Sequence, residues 1–297
     1  MEQAKRKSKL HNDNVFAWCF FGPVSVYFFI FNILPVFFVL FISFTEWNGL
    51  DFRMIHGNGF NNYIAFFTQW ESLRLLINTV IMGVIILALT ILVGFCVATL
   101  MVKSIKFRAF HRVSWYIPGI VSFAIISQIV SDLLLPDGSL NEALKGMGLQ
   151  PVTWTASTFW MFFWIIIISV WRGLGGTMLL FIAGLNNISK DYYEVGKIEG
   201  ANRRQRLAYI TLPLLRPMTV FILITSMIGM FNIFEPVKLI SLGGPRGTTE
   251  VIMYQIYSEA FQSFRMGMSS AISVIVMIIV MALTVVNLRM NKVNLYY

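Results

Sequence analysis

Few side chains in this sequence are of a type that does covalent or metal chemistry, and none is grouped for it. His11, His56 and His111 fall in different loops or termini with no partner at metal-ligand spacing, so no metal site is expected. Cys19 and Cys96 both lie in apolar runs, where a small thiol packs, and no disulfide is expected. The only Gly-Lys step, Gly196-Lys197, is followed by Ile198 and has Asp191 where a phosphate-binding loop needs glycine. Nucleotide hydrolysis is therefore outside this chain. The scattered carboxylates offer no clustered nucleophile, base or metal ligand, so an enzyme is not expected either. What remains is Arg172, Glu235 and Lys238 within apolar stretches, where a charge is expensive and points to function, and one long polar segment, Asp191 to Pro213. Glu235 and Lys238 stand three apart and would form an ion pair on a helix surface. Arg172 reads as an anchor or a paired charge, with substrate contact as the alternative.

The elements that must position these residues are membrane spans. Of 297 residues, 57% are hydrophobic and only 12% charged, more apolar surface than one soluble core could bury. Stretches of the roughly 20 apolar residues that cross a bilayer recur six times. They cover Val15 to Thr45, Leu73 to Val102, Val113 to Leu135, Ser157 to Leu185, Met218 to Ile240 and Met266 to Met290. Runs such as Ile81 to Ala98 are apolar on every side, which excludes the alternating strands of a membrane β-barrel. The fold class is all-α and polytopic. The first run is about twice as long as the core of a cleaved signal and lacks a small-residue cleavage site, so it is expected to stay as an anchor.

The net charge of +9 is a matter of topology. Sixteen of the 23 basic residues fall in the amino terminus (Lys5, Arg6, Lys7, Lys9), the second and fourth connections and the tail. The second connection has Lys103, Lys106, Arg108 and Arg112, and the fourth has Lys190, Lys197, Arg203, Arg204, Arg206 and Arg216. Arg289 and Lys292 complete the set. This is the positive-inside pattern with both termini cytoplasmic. No aromatic-basic motif accompanies it, so nucleic acid is excluded as a partner. The chain divides into a cytoplasmic segment at 1–14, one membrane domain at 15–290 and a tail at 291–297. The outer loops Glu46 to Ser72, Pro136 to Ala156 and Ser241 to Arg265 are too short for a further domain. Trp47, Trp70, Trp115, Trp154 and Trp171 near span ends read as interfacial anchors. Pro23, Pro35, Pro118, Gly173, Gly175 and Gly176 read either as breaks that line a path or as points of close helix packing.

The polar segment Asp191 to Pro213 reads as two short cytoplasmic helices joined at a glycine. Tyr192, Val195 and Ile198 repeat every three residues and share a face, with Glu194, Lys197 and Glu199 turned elsewhere. Gly200 supplies the positive φ that ends the first helix. Arg203, Arg204 and Arg206 stand beside Leu207 and Ile210 in the second, and Leu212-Pro213 stops it. Such a knob has charged and apolar faces suited to docking another protein. An amphipathic elbow lying on the membrane is the plainer alternative.

The order Glu194, Glu199-Gly200-Ala201 and, nine residues on, Ile210-x-Leu212-Pro213 resembles the coupling loop of binding-protein-dependent ABC importer permeases. Val195-Gly196 stands where that family commonly has two alanines, and Glu199 where it has aspartate. The resemblance extends to Phe60-Asn-Asn-Tyr63, Gly138-Ser-Leu-Asn141, Ala183-Gly-Leu185, Leu242-Gly-Gly-Pro245 and Thr248-Thr-Glu250. Together these resemble a sugar importer permease of the maltose-type first-subunit kind, without the large extracellular insertion of some members.

This resemblance implies a permease subunit in a bacterial cytoplasmic membrane. Its partners would be a second homologous permease, two cytoplasmic ATPases that hold ATP and magnesium, an extracellular sugar-binding protein and lipid, with no cofactor in this chain. The coupling residues carried over are Glu194, Gly196, Glu199, Gly200, Ala201, Arg203 and Pro213. The substrate pathway carried over is Arg172, a glycine break at Gly173 and Gly176, then Ser226, Gly229, Met230, Asn232, Ile233 and Glu235. Importers of glycerol phosphate or polyols share the loop and stay open as alternatives. An ion-coupled secondary transporter is disfavoured, because few acidic residues lie deep in any span.

Overall fold

A computed structural model describes residue 18, residues 21–102 and residues 106–290. The terminal segments, with Lys5, Arg6, Lys7, Lys9, His11, Cys19 and Lys292, and also Lys103, lie outside the described residues. Helices dominate. In chain order they are α1 (Phe21–Ile42), α2 (Asn61–Thr68), α3 (Trp70–Val102), α4 (Arg108–Ile120), α5 (Phe123–Leu133), α6 (Ser139–Gly146), α7 (Thr158–Asn186), α8 (Lys190–Ile198), α9 (Arg203–Leu214), α10 (Arg216–Met230), α11 (Ile252–Phe261) and α12 (Met266–Met290). A two-stranded ribbon pairs β1 (Thr45–Glu46) with β2 (His56–Gly57) antiparallel, Thr45 opposite Gly57 and Glu46 opposite His56.

Four helices, α1, α3, α7 and α12, are each long and apolar enough to cross a membrane, and the bent pairs α4–α5 and α9–α10 raise the number to six if each pair crosses once. Two expected spans are therefore not single rods. The third, expected from Val113 to Leu135, turns by 87° between α4 and α5. Pro118 lies in the last turn of α4, where its missing N–H weakens the ladder, and Val121 is extended at φ −69, ψ 141. The fifth, expected from Met218 to Ile240, is helical only to Met230; Pro236 then precedes a separate π turn at Val237–Ser241. A helix from Met230 cannot run through Pro236 without losing a bond to the preceding turn. By contrast, the glycine-rich stretch of the fourth span does not break: α7 is continuous past Gly173, Gly175 and Gly176.

Gly173 and Gly175 serve close packing, as do glycines of other contacts, whereas Gly176 has nothing beside it. A Cβ on Gly175 would sit 2.5 Å from the Trp115 carbonyl oxygen of α4, and one on Gly94 of α3 would meet Thr177 Cγ2 of α7 at 2.8 Å. Gly184, in the Ala183-Gly-Leu185 step, receives Leu215 and Met218 from the start of α10. Without a hydrophobic driving force between helices in lipid, small residues that let backbones approach are what hold such contacts. Val97, Ala98 and Met101 of α3, Met178, Phe181 and Ile182 of α7 and Ile222 of α10 form one buried cluster around them.

The chain divides into two compact units, one of residues up to 66 with 259–275, the other of 67–258 with residues from 276. In the first, α1 exposes almost all of its apolar side chains, as expected of a helix whose solvent is lipid. Asn62 of the Phe60-Asn-Asn-Tyr63 motif is buried and donates from Nδ2 to the Ser43 and Thr45 carbonyls at 3.0 and 2.9 Å. Gly267 lies so close to the Thr45 carbonyl that any Cβ would overlap it. In the second unit, Asn141 of Gly138-Ser-Leu-Asn141 is 1% exposed and joins a whole loop. Its Nδ2 donates to the carbonyls of Leu135, Pro136 and Val152, and its Oδ1 accepts from Val152 N and Trp154 Nε1. Trp154, like Trp47, is thus a buried structural residue and not an interfacial anchor, whereas Trp70 and Trp171 are exposed and Trp115 is half-buried.

Candidate functional site

Two places carry the residues singled out in the sequence, and both lie within the second unit. The first is the knob formed by α8 and α9. Ser189 caps α8 by accepting from Asp191 N. The helix ends at Glu199 in a paired closure: Ala201 N donates to Gly196 O at 2.8 Å and Gly200 N to Lys197 O at 3.1 Å. That pattern needs a left-handed residue between, and Gly200 supplies it at φ +77. Asn202 then starts α9 with a reciprocal cap, its Oδ1 accepting from Gln205 N at 2.9 Å while its own N–H donates to Gln205 Oε1 at 2.8 Å. The chain therefore stops one helix and starts the next within a few residues.

What folds α9 back against α8 is a small interface. Gly196 is buried, and a Cβ there would meet Ile210 Cδ1 at 2.9 Å. Tyr193 and Thr211 share a hydrogen bond between hydroxyls at 3.0 Å. The expected apolar face of α8 is left outward: Tyr192, Val195 and Ile198 are exposed, Ile198 at 85%, and Tyr209 of α9 at 79%. Glu194, Glu199 and Arg203 are exposed beside them and Ala201 is half-buried. Pro213 lies one residue before the end of α9, directly after the π turn at Leu207–Thr211. The 63° bend comes afterwards, before Arg216.

The second place is a cavity of about 360 Å³ among α3, α5, α7 and α10. Eight of the nine expected pathway residues line it: Arg172, Gly173, Ser226, Gly229, Met230, Asn232, Ile233 and Glu235. Gly176 does not; it faces the exposed side of α7, with nothing within 4 Å of its Cβ position. Gly173 lets α7 approach Thr90, whose Cγ2 lies 3.3 Å from the Cβ position, and Gly83 makes room for Met230 at 2.6 Å. The end of α10 at Met230 lets Asn232 and Ile233 reach the cavity from irregular backbone, which membrane depth tolerates where it lines a cavity, and Glu235 follows at the start of the next helical stretch.

The charges differ from expectation. Lys238 does not pair with Glu235; its Nζ stands 3.9 Å from the Tyr257 ring centroid and 5.5 Å from that of Phe234. Arg172 is held by the face of Phe123, 4.8 Å from ring centroid to Cζ, and its Nε is buried with no hydrogen-bond partner among the described residues. Thr90 Oγ1 is likewise buried and unpartnered. Phe123, Thr90, Ser169 and Thr177 line the cavity and were not foreseen. A lone hydroxyl in an apolar span was the available signal for Thr90 and Ser169, but a serine or threonine there more often bonds its own helix, as Ser169 also does to Ile165 O at 2.6 Å. Among the described residues no group of histidine, cysteine or carboxylate side chains could hold a metal ion.

Residues 107–293 match the family described as binding-protein-dependent transport system inner membrane component. The probable ABC transporter permease protein YesP of Bacillus subtilis (strain 168) is 30% identical over 99% of this chain and 96% of its own length. The arabinooligosaccharides transport system permease protein AraP of Halalkalibacterium halodurans is 32% identical over 64% of this chain and 61% of its own. A chain in the crystal structure of a bacterial alginate ABC transporter, in complex with an alginate pentasaccharide-bound periplasmic protein, is similar with a TM-score of 0.83 over 96% of both chains. At 21% identity that likeness is one of fold.

Proposed function

This chain belongs to the binding-protein-dependent transport system inner membrane components, and on that premise we propose that it is the permease subunit of an ATP-driven importer that translocates a sugar, an oligosaccharide in particular. The arabinooligosaccharide relative supports the substrate class. The cavity beside α10 supports it as well, because its hydroxyl, amide and charged side chains among apolar walls suit a ligand with both hydroxyls and C–H surface. In this proposal the chain is half of a pathway completed by a second, homologous permease, with both termini in the cytoplasm of a bacterium and an extracellular binding protein delivering the sugar.

The observation that carries the proposal is the knob. Its backbone is closed by its own caps, so its exposed apolar and acidic side chains are left for another protein. Two cytoplasmic ATPases, holding ATP and magnesium, would each receive such a knob, one from each permease. Closure of the ATPases would then move α8 and α9 as a unit and, through the bend before Arg216, tilt α10 at the cavity wall. A Glu194→Cys protein tests this in the assembled importer. Cross-linking to a cysteine in the ATPase cleft, gated by nucleotide, is the expected result; no cross-link to the ATPase in any nucleotide state overturns the proposal.

A further inference from the structure

Arg172 and Glu235 line the same cavity, yet among the described residues they form no ion pair with each other or with any other side chain. Burying opposite charges in a membrane ordinarily drives them together. Here Arg172 is held on Phe123 from α5, while Glu235 opens the short helical stretch that follows the break after α10, just before Pro236. Each must be solvated by whatever enters the cavity. Thr90, 7% exposed with an unpartnered Oγ1, adds an uncharged group with the same need.

We infer that this split charge pair selects uncharged saccharides, with Arg172 donating to ring or hydroxyl oxygens and Glu235 accepting from hydroxyls and turning away sugar carboxylates. The inference rests on the importer proposal above. A guanidinium donates in a fixed fork and a carboxylate only accepts, so a neutral sugar, whose hydroxyls do both, satisfies the two at once. A uronic acid satisfies Arg172 but brings a second carboxylate into the same cavity as Glu235, and like charges between apolar walls repel more strongly than in bulk water. Glu235 is thus a specificity-determining residue that acts by exclusion as well as by contact.

The test uses the complete importer in detergent, without the binding protein, so that the receptor's own preference does not enter. Binding of galactotriose, arabinotriose and trigalacturonate is measured for the unmodified protein and for Glu235→Gln, Glu235→Asp and Arg172→Gln. At least one neutral trisaccharide is expected to bind at least tenfold more tightly than trigalacturonate. Glu235→Gln should erase that preference, Glu235→Asp should keep it, and Arg172→Gln should weaken every probe. Trigalacturonate binding as tight as the neutral probes, no binding of either neutral probe, or an unchanged preference in Glu235→Gln overturns the inference. The Glu194→Cys cross-link read on the same preparations separates this outcome from failure of the importer proposal.

Discussion

Gly196 of α8 faces Ile210 of α9 so closely that a Cβ would stand 2.9 Å from the terminal Cδ1 of the isoleucine. The obstructing atom is the end of a flexible side chain, so one added methyl can be absorbed by a rotamer change. Gly196→Ala also removes a helix-interior glycine, worth about 0.8–1 kcal/mol in propensity. That variant is expected to raise the unfolding temperature slightly with coupling intact. Gly196→Leu has nowhere to go and should separate the two helices, at about 1–3 kcal/mol for overpacking. Thermal unfolding together with binding-protein-stimulated ATP hydrolysis distinguishes the two; a Leu variant coupled as well as the natural protein would remove this interface from the mechanism.

Gly200 presents the opposite case, since nothing lies within 4 Å of its Cβ position but its φ is +77. The obstacle to substitution is the backbone itself. A left-handed conformation costs an ordinary L-residue about 1–2 kcal/mol, and asparagine least. Gly200→Val is therefore expected to insert and assemble but to lose transport and transport-linked ATP hydrolysis, while Gly200→Asn keeps most of both. Uptake by cells carrying each variant is the measurement, and equal uptake by the two would show that the turn geometry is not what transmits force.

The knob was legible in the sequence because its signals are local: a three-residue apolar repeat, a glycine and a capping pair all act within a few positions. The spans were legible as apolar runs for the same reason. Their internal shape was not, because whether Pro118 bends a helix by 87° or a glycine triplet breaks one depends on neighbours far along the chain. At Gly175 the backbone of α4 stands 2.5 Å from the Cβ position, and α7 runs on unbroken through this contact. The pathway residues of α7 and the α10 region were placed by family resemblance. Thr90 and Phe123 came only with the tertiary contacts that bring α3 and α5 to the same cavity.

Asn141 should prove to be the stability hinge of the loop after α5. Replacing it by alanine strands Val152 N and Trp154 Nε1 and takes the side-chain donor from Pro136 O, while the Leu135 and Val152 carbonyls keep Gly138 N and Trp154 N. A buried group left without its partner costs about 1–3 kcal/mol, and water will reach some of these, so a total loss of about 2–3 kcal/mol is expected. Hydrogen exchange should rise across residues 135–154 while the knob at 190–214 stays protected. Exchange that rises equally in both segments would mean that the loop is not an independent knot.

Glu250 gives the loop after α10 a pH dependence whose sign follows from its surroundings. Burial raises its pKa above the usual carboxylate value; the Arg74 guanidinium opposes this and the Glu71 carboxylate adds to it. A carboxyl that is harder to ionise when folded holds its proton more tightly in the native loop than in the unfolded chain. Below the ordinary carboxylate pKa both states are protonated and no penalty exists. As pH rises through the interval up to the raised value, the unfolded state gives up its proton first, so the loop loses stability, and above that interval the loss is complete. Glu250 also curls under Gly243, whose Cβ position is 2.5 Å from its Cγ, so its ionisation is felt by the whole turn. Hydrogen exchange at residues 243–250 is expected to quicken with pH beyond the intrinsic dependence. Glu250→Gln, which keeps the shape and abolishes the charge, should flatten that excess and leave the loop more protected at neutral pH; an excess that persists in the Gln variant would assign the titration to another group.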